Sequence, residues 1–440
     1  MRNLRLSLWP SSRVVWALAA IAFLLALSPG ISILAPLSAV LLAALIVAML
    51  VDALALPQPR LLGIHRTVPA HFALRRVATL QYEVENRSSR SLRVGFVEEP
   101  LHVLELPRDE IVALVPAQAL VPVTADALPV ARGSGRFSRI YFWYETQLGL
   151  LRRRARIEAP EPIRVYPDLS AVERYGNLTL RNRLIEAGLR RMRMRGEGSE
   201  FESLRDYAAG DAFRAIDWKA TARRGKLMVV QREVERSQDV MLMLDCGRLM
   251  TARIGEQRKL DYAVTAALSV ASIASLASDR VGVVAFAREI LLARSPRSTA
   301  SSMHALADAL SDVEPRFEES DYARAINYVR SHLHRRSLVV LFTDVIDPVA
   351  QSTVLAELST LAKRHVVLCA FMNDAAVAQT LAATPHTIDD AYRLDVALGL
   401  EHERTVAAKT LERAGVIVLD APAAKLSVAT IDEYLRIKSR

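Results

Sequence analysis

The chain is poor in the residues that build disulfide frameworks, metal knuckles and flexible linkers. Cysteine occurs twice in 440 residues, at Cys246 and Cys369, and no Cys-x-x-Cys pair is present. A disulfide-stabilised fold and a cysteine-based zinc site are therefore excluded. Both cysteines lie in apolar runs, which predicts buried, reduced thiols and fits a reducing compartment.

The short motifs of common catalytic sites are also absent. The sequence contains no Gly-x-Ser-x-Gly, no His-Glu-x-x-His and no Walker A motif. Gly225-Lys226 resembles the end of a phosphate-binding loop, but Leu227 stands where that loop needs Ser or Thr. We therefore expect a protein that is not an enzyme.

Charged side chains are missing from one long N-terminal run. No Asp, Glu, Lys or Arg occurs from Val14 to Val51. As one helix this run would be about 57 Å long, whereas a bilayer core is about 30 Å thick. The turn-forming Ser28-Pro29-Gly30 interrupts it, so we predict two transmembrane helices within residues 1–57, over Val14–Leu27 and Ile31–Val51. A cleaved signal peptide is the alternative, and the second apolar segment argues against it.

The charges that flank this run predict its orientation. The turn between the two helices carries no charge, whereas both flanks carry arginines: Arg2, Arg5 and Arg13 before it, and Arg60, Arg66, Arg75 and Arg76 after it. By the positive-inside rule both ends lie in the cytoplasm. We expect a multi-pass membrane protein with its soluble domains in the cytoplasm.

Residues 58–168 show the period-two alternation of half-buried strands. Segments such as VATLQYEVENRS and SLRVGFVEE alternate apolar and polar residues and are separated by turn residues. They predict a β-sandwich-like domain of six or seven short strands. Arg152, Arg153, Arg154 and Arg156 form a basic run, which we interpret as a solvated edge strand. Contact with lipid head groups is the alternative.

Residues 169–236 form a charged connector. Its segment 181–195 holds six arginines and one glutamate, and the whole chain carries a formal net charge of +9. A solvated helix, a lipid-binding segment and a nucleic-acid-binding segment all fit this charge. No aromatic residue interleaves the arginines, so bases would have no stacking platform. We expect the lipid bilayer, and not nucleic acid, to be a partner.

A dense motif follows at residues 196–235. Asp211 after Gly210 predicts the N-cap of a short helix that runs through Ala222 and ends at Gly225. We expect its aromatic residues to be buried, namely Phe201, Tyr207, Phe213 and Trp218. Its alternating charges could fix a docking geometry between domains or form an active site of paired carboxylates. The motif has no histidine and no evident nucleophile, which favours docking.

Residues 237–440 alternate short apolar runs with helical stretches. The runs DVMLMLDC, RVGVVAFA, SLVVLFTD, HVVLCAFM and GVIVLDA read as buried strands, and EILLARS as an antiparallel edge strand. This alternation predicts an α/β domain with a doubly wound sheet, whose site lies at the carboxyl ends of the strands. Asp245, Asp344 and Asp347 fall there, and carboxylates suit a divalent cation such as Mg²⁺.

The segment EFESLRDYAAGDAFRAIDWKATARRGKLMVVQREVE, followed by a strand that ends in Asp, closely resembles the bacterial family called domain of unknown function 58. The residues that carry the resemblance and are candidates for interaction are Glu200, Phe201, Leu204, Arg205, Tyr207, Gly210, Asp211, Arg214, Asp217, Trp218 and Arg223. The resemblance implies a protein of the bacterial cytoplasmic membrane with a von Willebrand factor A-like domain. It also implies a MoxR-type AAA+ ATPase as partner and a role in the assembly or maturation of other complexes.

The same resemblance implies a degenerate metal site. In von Willebrand A domains the first strand runs into Asp-x-Ser-x-Ser, and the matching residues here are Asp245, Gly247 and Leu249. Ser320 is the hydroxyl candidate of the second loop, and Asp344 matches the third element. We expect no bound cofactor beyond a weak Mg²⁺ site at Asp245, Ser320 and Asp344, with Arg248 as a substitute source of positive charge. A metal-dependent enzyme with a site here is the alternative function.

Overall fold

The computed structural model describes residues 7–169, 200–207, 216–233, 238–298, 303–344 and 351–438. The chain divides into two compact units, Met1–Asp168 and Leu169–Arg440. Each unit is described by itself.

Two apolar helices lie near the start of the first unit. Helix α1 spans Ser12–Ala26 and α2 spans Leu34–Ala55. Helix α2 is long and apolar enough to cross a membrane, whereas α1, with 15 residues, is shorter. Both predicted segments are helical, but α2 continues four residues past Val51 and so includes a carboxylate, Asp52.

The rest of the first unit consists of β-strands. Their bounds are β1 Ser7–Pro10, β2 Leu62–Thr67, β3 Phe72–Ala73, β4 Ala78–Asn86, β5 Leu92–Glu98, β6 Leu104–Glu105, β7 Ile111–Val115, β8 Ala119–Pro129, β9 Gly133–Glu145 and β10 Leu151–Tyr166. One sheet has the order β1-β10-β9-β5-β7, with the short β3 beside β10, and the other has the order β2-β4-β8-β6.

The two sheets enclose one hydrophobic core. Strand β4 shows why, because its alternate residues Leu80, Tyr82 and Val84 are buried and the residues between them face outward. Across the core Tyr82 meets Phe96 of the other sheet, with ring centroids 4.9 Å apart. Burial of these aromatic faces stabilises the pair of sheets against each other.

Strand β1 was not predicted, and it changes the interpretation of the arginine run. Residues Ser7–Pro10 pair antiparallel with Leu151–Arg154, so β1, and not β10, forms the edge of the sheet there. The interpretation of this run as a solvated edge strand is therefore wrong for Arg152, Arg153 and Arg154. Four residues are too few to show a strand period, and their partner lies far along the chain.

The second unit is built on a six-stranded sheet. Its strands are β13 Asp239–Asp245, β16 Arg280–Phe286, β17 Ile290–Ser298, β18 Leu338–Phe342, β19 Val366–Asn373 and β20 Ile417–Pro422, in the order β17-β16-β13-β18-β19-β20. All neighbours are parallel except β17, which is the antiparallel edge strand predicted from EILLARS. Two short ribbons, β11 Glu200–Asp206 with β12 Met228–Glu233 and β14 Arg253–Ile254 with β15 Gln257–Arg258, lie outside this sheet.

Helices cover both faces of this sheet. The helices of this unit are α3 Trp218–Arg224, which belongs to the β11–β12 ribbon, and α4 Lys259–Leu276, α5 Met303–Ser311, α6 Tyr322–His332, α7 Gln351–Ala362, α8 Ala375–Ala382, α9 Ile388–Arg413 and α10 Leu426–Lys438. Val240, Leu242 and Leu244 of β13 pack with α4, α5 and α10, whereas Met241 and Met243 pack with α6, α7 and α9. Strands buried on both faces explain the uninterrupted apolar runs of the sequence. The predicted mixed α/β character is confirmed.

Helix α9 is much longer than the segment predicted from EHERTVAAKTLERA. It begins at Ile388, where Thr387 and Asp390 form a capping box. Asp390 N donates to the Thr387 hydroxyl at 3.1 Å, and Thr387 N donates to the Asp390 carboxylate at 3.0 Å. This reciprocal pair satisfies amide groups that a helix start leaves unpaired, so the helix begins there. Helices α8 and α10 were not predicted.

Candidate functional site

Asp245 lies at the carboxyl end of β13, at the centre of a cluster of hydroxyl groups. The side chain is buried. Its Oδ1 accepts hydrogen bonds from Ser320 Oγ at 2.5 Å and from the Gly247 amide at 2.8 Å. Its Oδ2 accepts from Tyr322 Oη at 2.6 Å and from Thr343 Oγ1 at 2.7 Å. Four donors thus hold the carboxylate, and they come from three separate loops and strand ends.

Gly247 makes this arrangement possible. A Cβ atom at position 247 would overlap Ser320 Oγ and would lie 3.0 Å from the Glu318 carbonyl oxygen and 3.2 Å from Asp245 Oδ1. The Ser320 hydroxyl therefore occupies the volume that a side chain at 247 would need. The second loop supplies the hydroxyl group that the first loop lacks.

Asp344 lies one residue beyond Thr343 and forms an ion pair with Lys259, the first residue of α4. Both side chains are mostly buried, so the ammonium group is held close to the carboxylate in a medium that screens charge poorly. Sequence analysis did not single out Lys259. Arg248, which we expected to supply positive charge to the carboxylates, instead binds Glu319 at 2.8 Å on the exposed rim; that expectation is wrong.

Burial and the charge of Asp245 also set the acidity of two neighbours. Burial, followed by the negative charge of Asp245, raises the pKa of the Tyr322 hydroxyl well above its ordinary value. The same two causes raise the pKa of the Cys369 thiol to about 12. Both groups therefore remain protonated at neutral pH. Tyr322 acts as a hydrogen-bond donor here, and Cys369 is not an activated nucleophile.

The contacts of these carboxylates do not fit a divalent cation. Both oxygens of Asp245 already accept two hydrogen bonds each, and Asp344 is paired with an ammonium group. Among the described residues, no three His, Cys, Asp or Glu side chains form a group that could hold a metal ion. Magnesium prefers a nearly octahedral set of oxygen ligands, several of them water. The Mg²⁺ site at Asp245, Ser320 and Asp344 stays a prediction, and Asp347 lies outside the described residues.

An exposed aromatic side chain stands beside this cluster. Phe317 is 83% exposed. The backbone on either side of it is tied to the loop after β13, because Arg316 N donates to the Cys246 carbonyl at 2.7 Å and Arg248 N donates to the Glu318 carbonyl at 2.8 Å. The ring therefore projects from a segment that is held in place. Sequence analysis missed Phe317, although a phenylalanine among the charges of PRFEES is a signal that could have found it.

The signature motif forms a ribbon followed by a short helix. Strand β11 carries Glu200, Phe201, Leu204 and Arg205 and pairs antiparallel with β12. Asp217 N donates to the Met228 carbonyl at 2.9 Å, and Met228 N donates to the Thr221 hydroxyl at 3.0 Å. These bonds join α3 to the ribbon.

The predicted helix of this motif starts later than expected. Asp217, and not Asp211, is the N-cap of α3, since its carboxylate accepts from Lys219 N and Ala220 N at 2.9 and 3.0 Å. Arg223 lies in the last turn, and Gly225 ends the helix with a φ of 67°, as predicted. Trp218 is 60% exposed, so the expectation that it is buried is wrong; a seven-residue helix on a two-stranded ribbon offers little surface to cover it. Tyr207 is half-buried.

Other motif residues fall outside the described part of the chain. They are Gly210, Asp211, Phe213 and Arg214, together with the arginine-rich segment 181–195. The predictions for these residues stay predictions, except that Asp211 does not cap the helix that runs through Ala222.

Comparison with known proteins agrees with the resemblance seen in the motif. Residues 203–385 match the family model described as protein of unknown function DUF58. An uncharacterized protein of Mycobacterium tuberculosis is 25% identical over 292 residues, which cover 62% of this chain and 91% of that protein. The uncharacterized protein YeaD of Bacillus subtilis is 31% identical over 118 residues, which cover 26% of this chain and 29% of that protein.

Among solved structures, the crystal structure of the conserved hypothetical protein BatB from Bacteroides thetaiotaomicron matches 46% of this chain and 100% of its own, with 13% identity and a TM-score of 0.31. A score this low carries no argument about function. The motif falls on the β11–β12 ribbon and α3, and the family match extends from β11 through α8. Residues 203–385 of the chain are thus similar to the DUF58 family of proteins of unknown function.

Proposed function

We propose that this protein is anchored in the bacterial cytoplasmic membrane by two helices and binds partner proteins with the carboxyl end of its parallel sheet. The exposed side chain of Phe317 beside the Asp245 cluster is the observation that carries the proposal. Among the described residues Phe317 is the most exposed large hydrophobic side chain, and aromatic anchors contribute much of the energy of protein interfaces.

Rigidity of the loop supports a binding role. The backbone hydrogen bonds at Arg316 and Glu318 hold both flanks of Phe317 before any partner arrives. A preformed loop loses little conformational entropy on binding, so more of the contact energy remains as affinity. The rim pair Arg248–Glu319 adds one charge of each sign beside the ring, which suits a polar rim around an aromatic centre.

The chemistry of the cluster favours binding over catalysis. Asp245 accepts hydrogen bonds from groups that remain protonated, and the thiol of Cys369 has a raised pKa. A catalytic site needs a nucleophile or base that is activated near neutral pH. In our proposal Lys259 supplies the positive charge that a cation supplies in a von Willebrand A domain. We propose a von Willebrand factor A-like domain that acts without a metal ion.

The two apolar helices support a membrane anchor that starts and ends on the same side. We call strands β1–β10 of the first unit the β-domain. The start of α1 and the end of α2 both bind one turn of this domain, residues 146–151. Arg13 Nη1 donates to the Leu148 carbonyl at 2.8 Å, and the buried Asp52 accepts from the amides of Leu150 and Leu151 at 3.0 and 2.8 Å. Because both ends are joined to one domain, we propose a two-pass hairpin, and the flanking arginines favour cytoplasmic soluble domains. The family resemblance adds an AAA+ ATPase of the MoxR type as the proposed partner, in the assembly or maturation of other complexes.

Affinity purification from membranes in mild detergent tests this proposal. The bait is the full chain as wild type, as Phe317→Ala and as Leu276→Ala. Leu276 is the matched control, because it is exposed like Phe317 but ends α4, near the amino end of the sheet. We expect an AAA+ ATPase to be retained by the wild type and by Leu276→Ala, and its yield to fall about tenfold or more with Phe317→Ala, as for an interface hot spot.

Retention that is equal in all three baits would overturn the assignment of the site. A calorimetric titration of the purified wild-type chain with Mg²⁺ tests the alternative function, a metal-dependent enzyme. We expect no saturable heat at millimolar Mg²⁺; a stoichiometric heat that disappears in Asp245→Asn would favour the metal-dependent enzyme.

A further inference from the structure

The two outward faces of the β-domain differ in charge. On the sheet that contains β4 and β8, the outward residues include three carboxylates, Glu83, Glu85 and Asp126, beside the apolar Leu120. On the other sheet the outward rows near the start of β10 carry arginines, aromatic residues and aliphatic residues, together with Glu110, which accepts from the indole N–H of Trp143 at 2.8 Å. We name this second surface the arginine–aromatic face; its residues are Trp9, Arg152, Arg154, Tyr141, Val97, Val112 and Leu114, and the buried ring of Trp143 lies beneath them.

Strand register places these residues side by side. Arg154 pairs with Trp143, Trp143 with Gly95, and Gly95 with Val112, which makes one row across four strands. Gly95 is required in this row, because a Cβ atom there would overlap the indole ring of Trp143. The ring therefore lies flat on the sheet over Gly95.

Guanidinium groups stack on the aromatic rings of this face. The Arg152 guanidinium carbon lies 4.1 Å from the centroid of Trp143, and that of Arg154 lies 5.0 Å from the centroid of the exposed Trp9. Arg152 also binds the buried Glu145 at 2.7 Å. Stacking holds the side chains in place, and a guanidinium group that stacks through its face can still donate its N–H groups to an anion.

The face is continuous with the apolar helices. Trp9 belongs to β1, and Ser11, two residues later, is the N-cap of α1. Ser11 Oγ donates to the Gly149 carbonyl at 2.6 Å, and Asp52 of α2 accepts from the Leu151 amide at the first residue of β10. The arginines that follow, Arg152 and Arg154, thus lie within a few residues of the points where both helices join the β-domain.

We propose that the arginine–aromatic face contacts the head groups of anionic phospholipids and holds the β-domain against the bilayer. Arginine donates to phosphate oxygens, tryptophan and tyrosine partition to the membrane interface, and basic residues next to a membrane anchor are attracted to anionic lipid. The acidic character of the opposite face supports one orientation, since that face would be repelled. This inference rests on the proposed membrane anchor.

Site-directed spin labelling of the full chain in lipid nanodiscs tests it. Single cysteines replace Leu114 on the face, Leu120 on the opposite sheet, and Ile46 in α2; all three side chains are exposed, whereas Cys246 and Cys369 are fully buried and do not compete for the label. Accessibility of each nitroxide to oxygen and to a water-soluble nickel complex is measured in discs of phosphatidylcholine alone and in discs that also contain phosphatidylglycerol.

We expect the Leu114 label to lose nickel accessibility when phosphatidylglycerol is present, and the Leu120 label to keep it. Replacement of Arg154 by Gln reduces the ratio of lipid-contacting to free label by about fivefold, whereas Arg87→Gln, an exposed arginine just after β4, leaves that ratio unchanged. High salt weakens the contact in the same way.

Three other results have distinct meanings. If the Leu114 label stays accessible to nickel in both discs while the Ile46 label lies in the bilayer, the face does not bind lipid and the membrane anchor stands. If the Ile46 label is itself exposed to water, the anchor fails and this inference fails with it. Protection of the Leu114 label that is equal in both discs and in detergent, and rises with protein concentration, would replace the lipid by a second copy of the chain.

Discussion

The two ends of the parallel sheet both bury an aspartate against a tyrosine hydroxyl, but they neutralise it differently. At the amino end Asp279 accepts from Tyr434 Oη at 2.5 Å and pairs with Lys438 Nζ at 2.7 Å. At the carboxyl end Asp245 accepts from Tyr322 Oη at 2.6 Å, and the lysine of that end, Lys259, pairs with Asp344 instead.

The difference separates a structural pair from a candidate binding site. Tyr434 and Lys438 both belong to α10, so the Asp279 pair fastens the last described helix to the start of β16. Asp245 is held by hydroxyls from loops, and those loops carry the exposed Phe317. The amino end thus stabilises the fold, whereas the carboxyl end positions loops.

The largest effect is expected from Asp279→Ala. The substitution leaves the ammonium of Lys438 and the Gln238 amide, which donates to Asp279 at 3.0 Å, without their partner. Breaking a buried ion pair from one side costs about 3–5 kcal/mol. The free energy of unfolding of the full chain in detergent, from a urea titration, measures it. Asp395→Ala, an exposed aspartate of α9, should change it by less than about 0.5 kcal/mol; equal effects would remove the structural role of the amino end.

Gly247→Ser is expected to have the next largest effect. It restores one hydroxyl of the Asp-x-Ser-x-Ser pattern, but the new Cβ overlaps Ser320 Oγ. Overpacking of this kind costs about 1–3 kcal/mol. In the double variant Gly247→Ser, Ser320→Gly the cost should shrink, because the second change removes the overlapping atom. An additive result in a urea unfolding titration would show that the two side chains do not share this volume.

Lys259→Met tests the ion pair of the carboxyl end. It leaves Asp344 without the ammonium, and Asp344→Asn leaves Lys259 without the carboxylate; each should cost about 1–3 kcal/mol. The double variant should cost less than the sum, which gives a coupling energy of at least about 1 kcal/mol in a double-mutant cycle. A coupling near zero would mean that Lys259 does not neutralise Asp344, and a divalent cation would again be the natural partner.

The smallest expected effect is a loss of unfolding free energy at alkaline pH. The Cys369 thiol has a pKa of about 12 in the folded chain and an ordinary value near 9.0. Because the folded value is raised, its contribution to stability is complete below pH 9 and is lost as the pH rises towards 12. Between about pH 8 and about pH 10.5 the free energy of unfolding should fall less for Cys369→Ala than for the wild type, as urea titrations at the two pH values would show. An unchanged loss would assign the effect to the buried tyrosines, Tyr322 and Tyr434, whose pKa values are also raised.

Sequence patterns predicted the strands of the sheet because each of them is buried on both faces and reads as an apolar run. They also predicted that Asp245 and Asp344 lie at one end of the sheet, since the carboxyl ends of parallel strands lie at the same edge, and the family resemblance added Ser320. The Lys259–Asp344 pair could not be predicted, because it joins residues far apart in the chain and exposed or buried lysines look alike in sequence. The exposure of Trp218 likewise depends on what packs against α3.

Some features were within reach of the sequence and were missed. Thr387 with Asp390 is a capping box that marks the start of α9, and the heptad-like LSVATIDEYLRIK marks α10. Strand β1 was out of reach, because four residues carry no period and their pairing with β10 is set by the compact β-domain. Local signals therefore fixed element types, whereas long-range contacts decided the chemistry of the site.

The shared volume at positions 247 and 320 has a consequence for how such sites diverge. A chain with a serine at 247 cannot accept the Ser320 hydroxyl where it stands, and a chain with that hydroxyl in place cannot regain the serine. Mutational paths between the two arrangements pass through an intermediate that is either crowded or lacks both hydroxyls. Once the glycine and Ser320 are established together, reversal by single steps is disfavoured, and Gly247 and Ser320 are expected to be inherited as a pair.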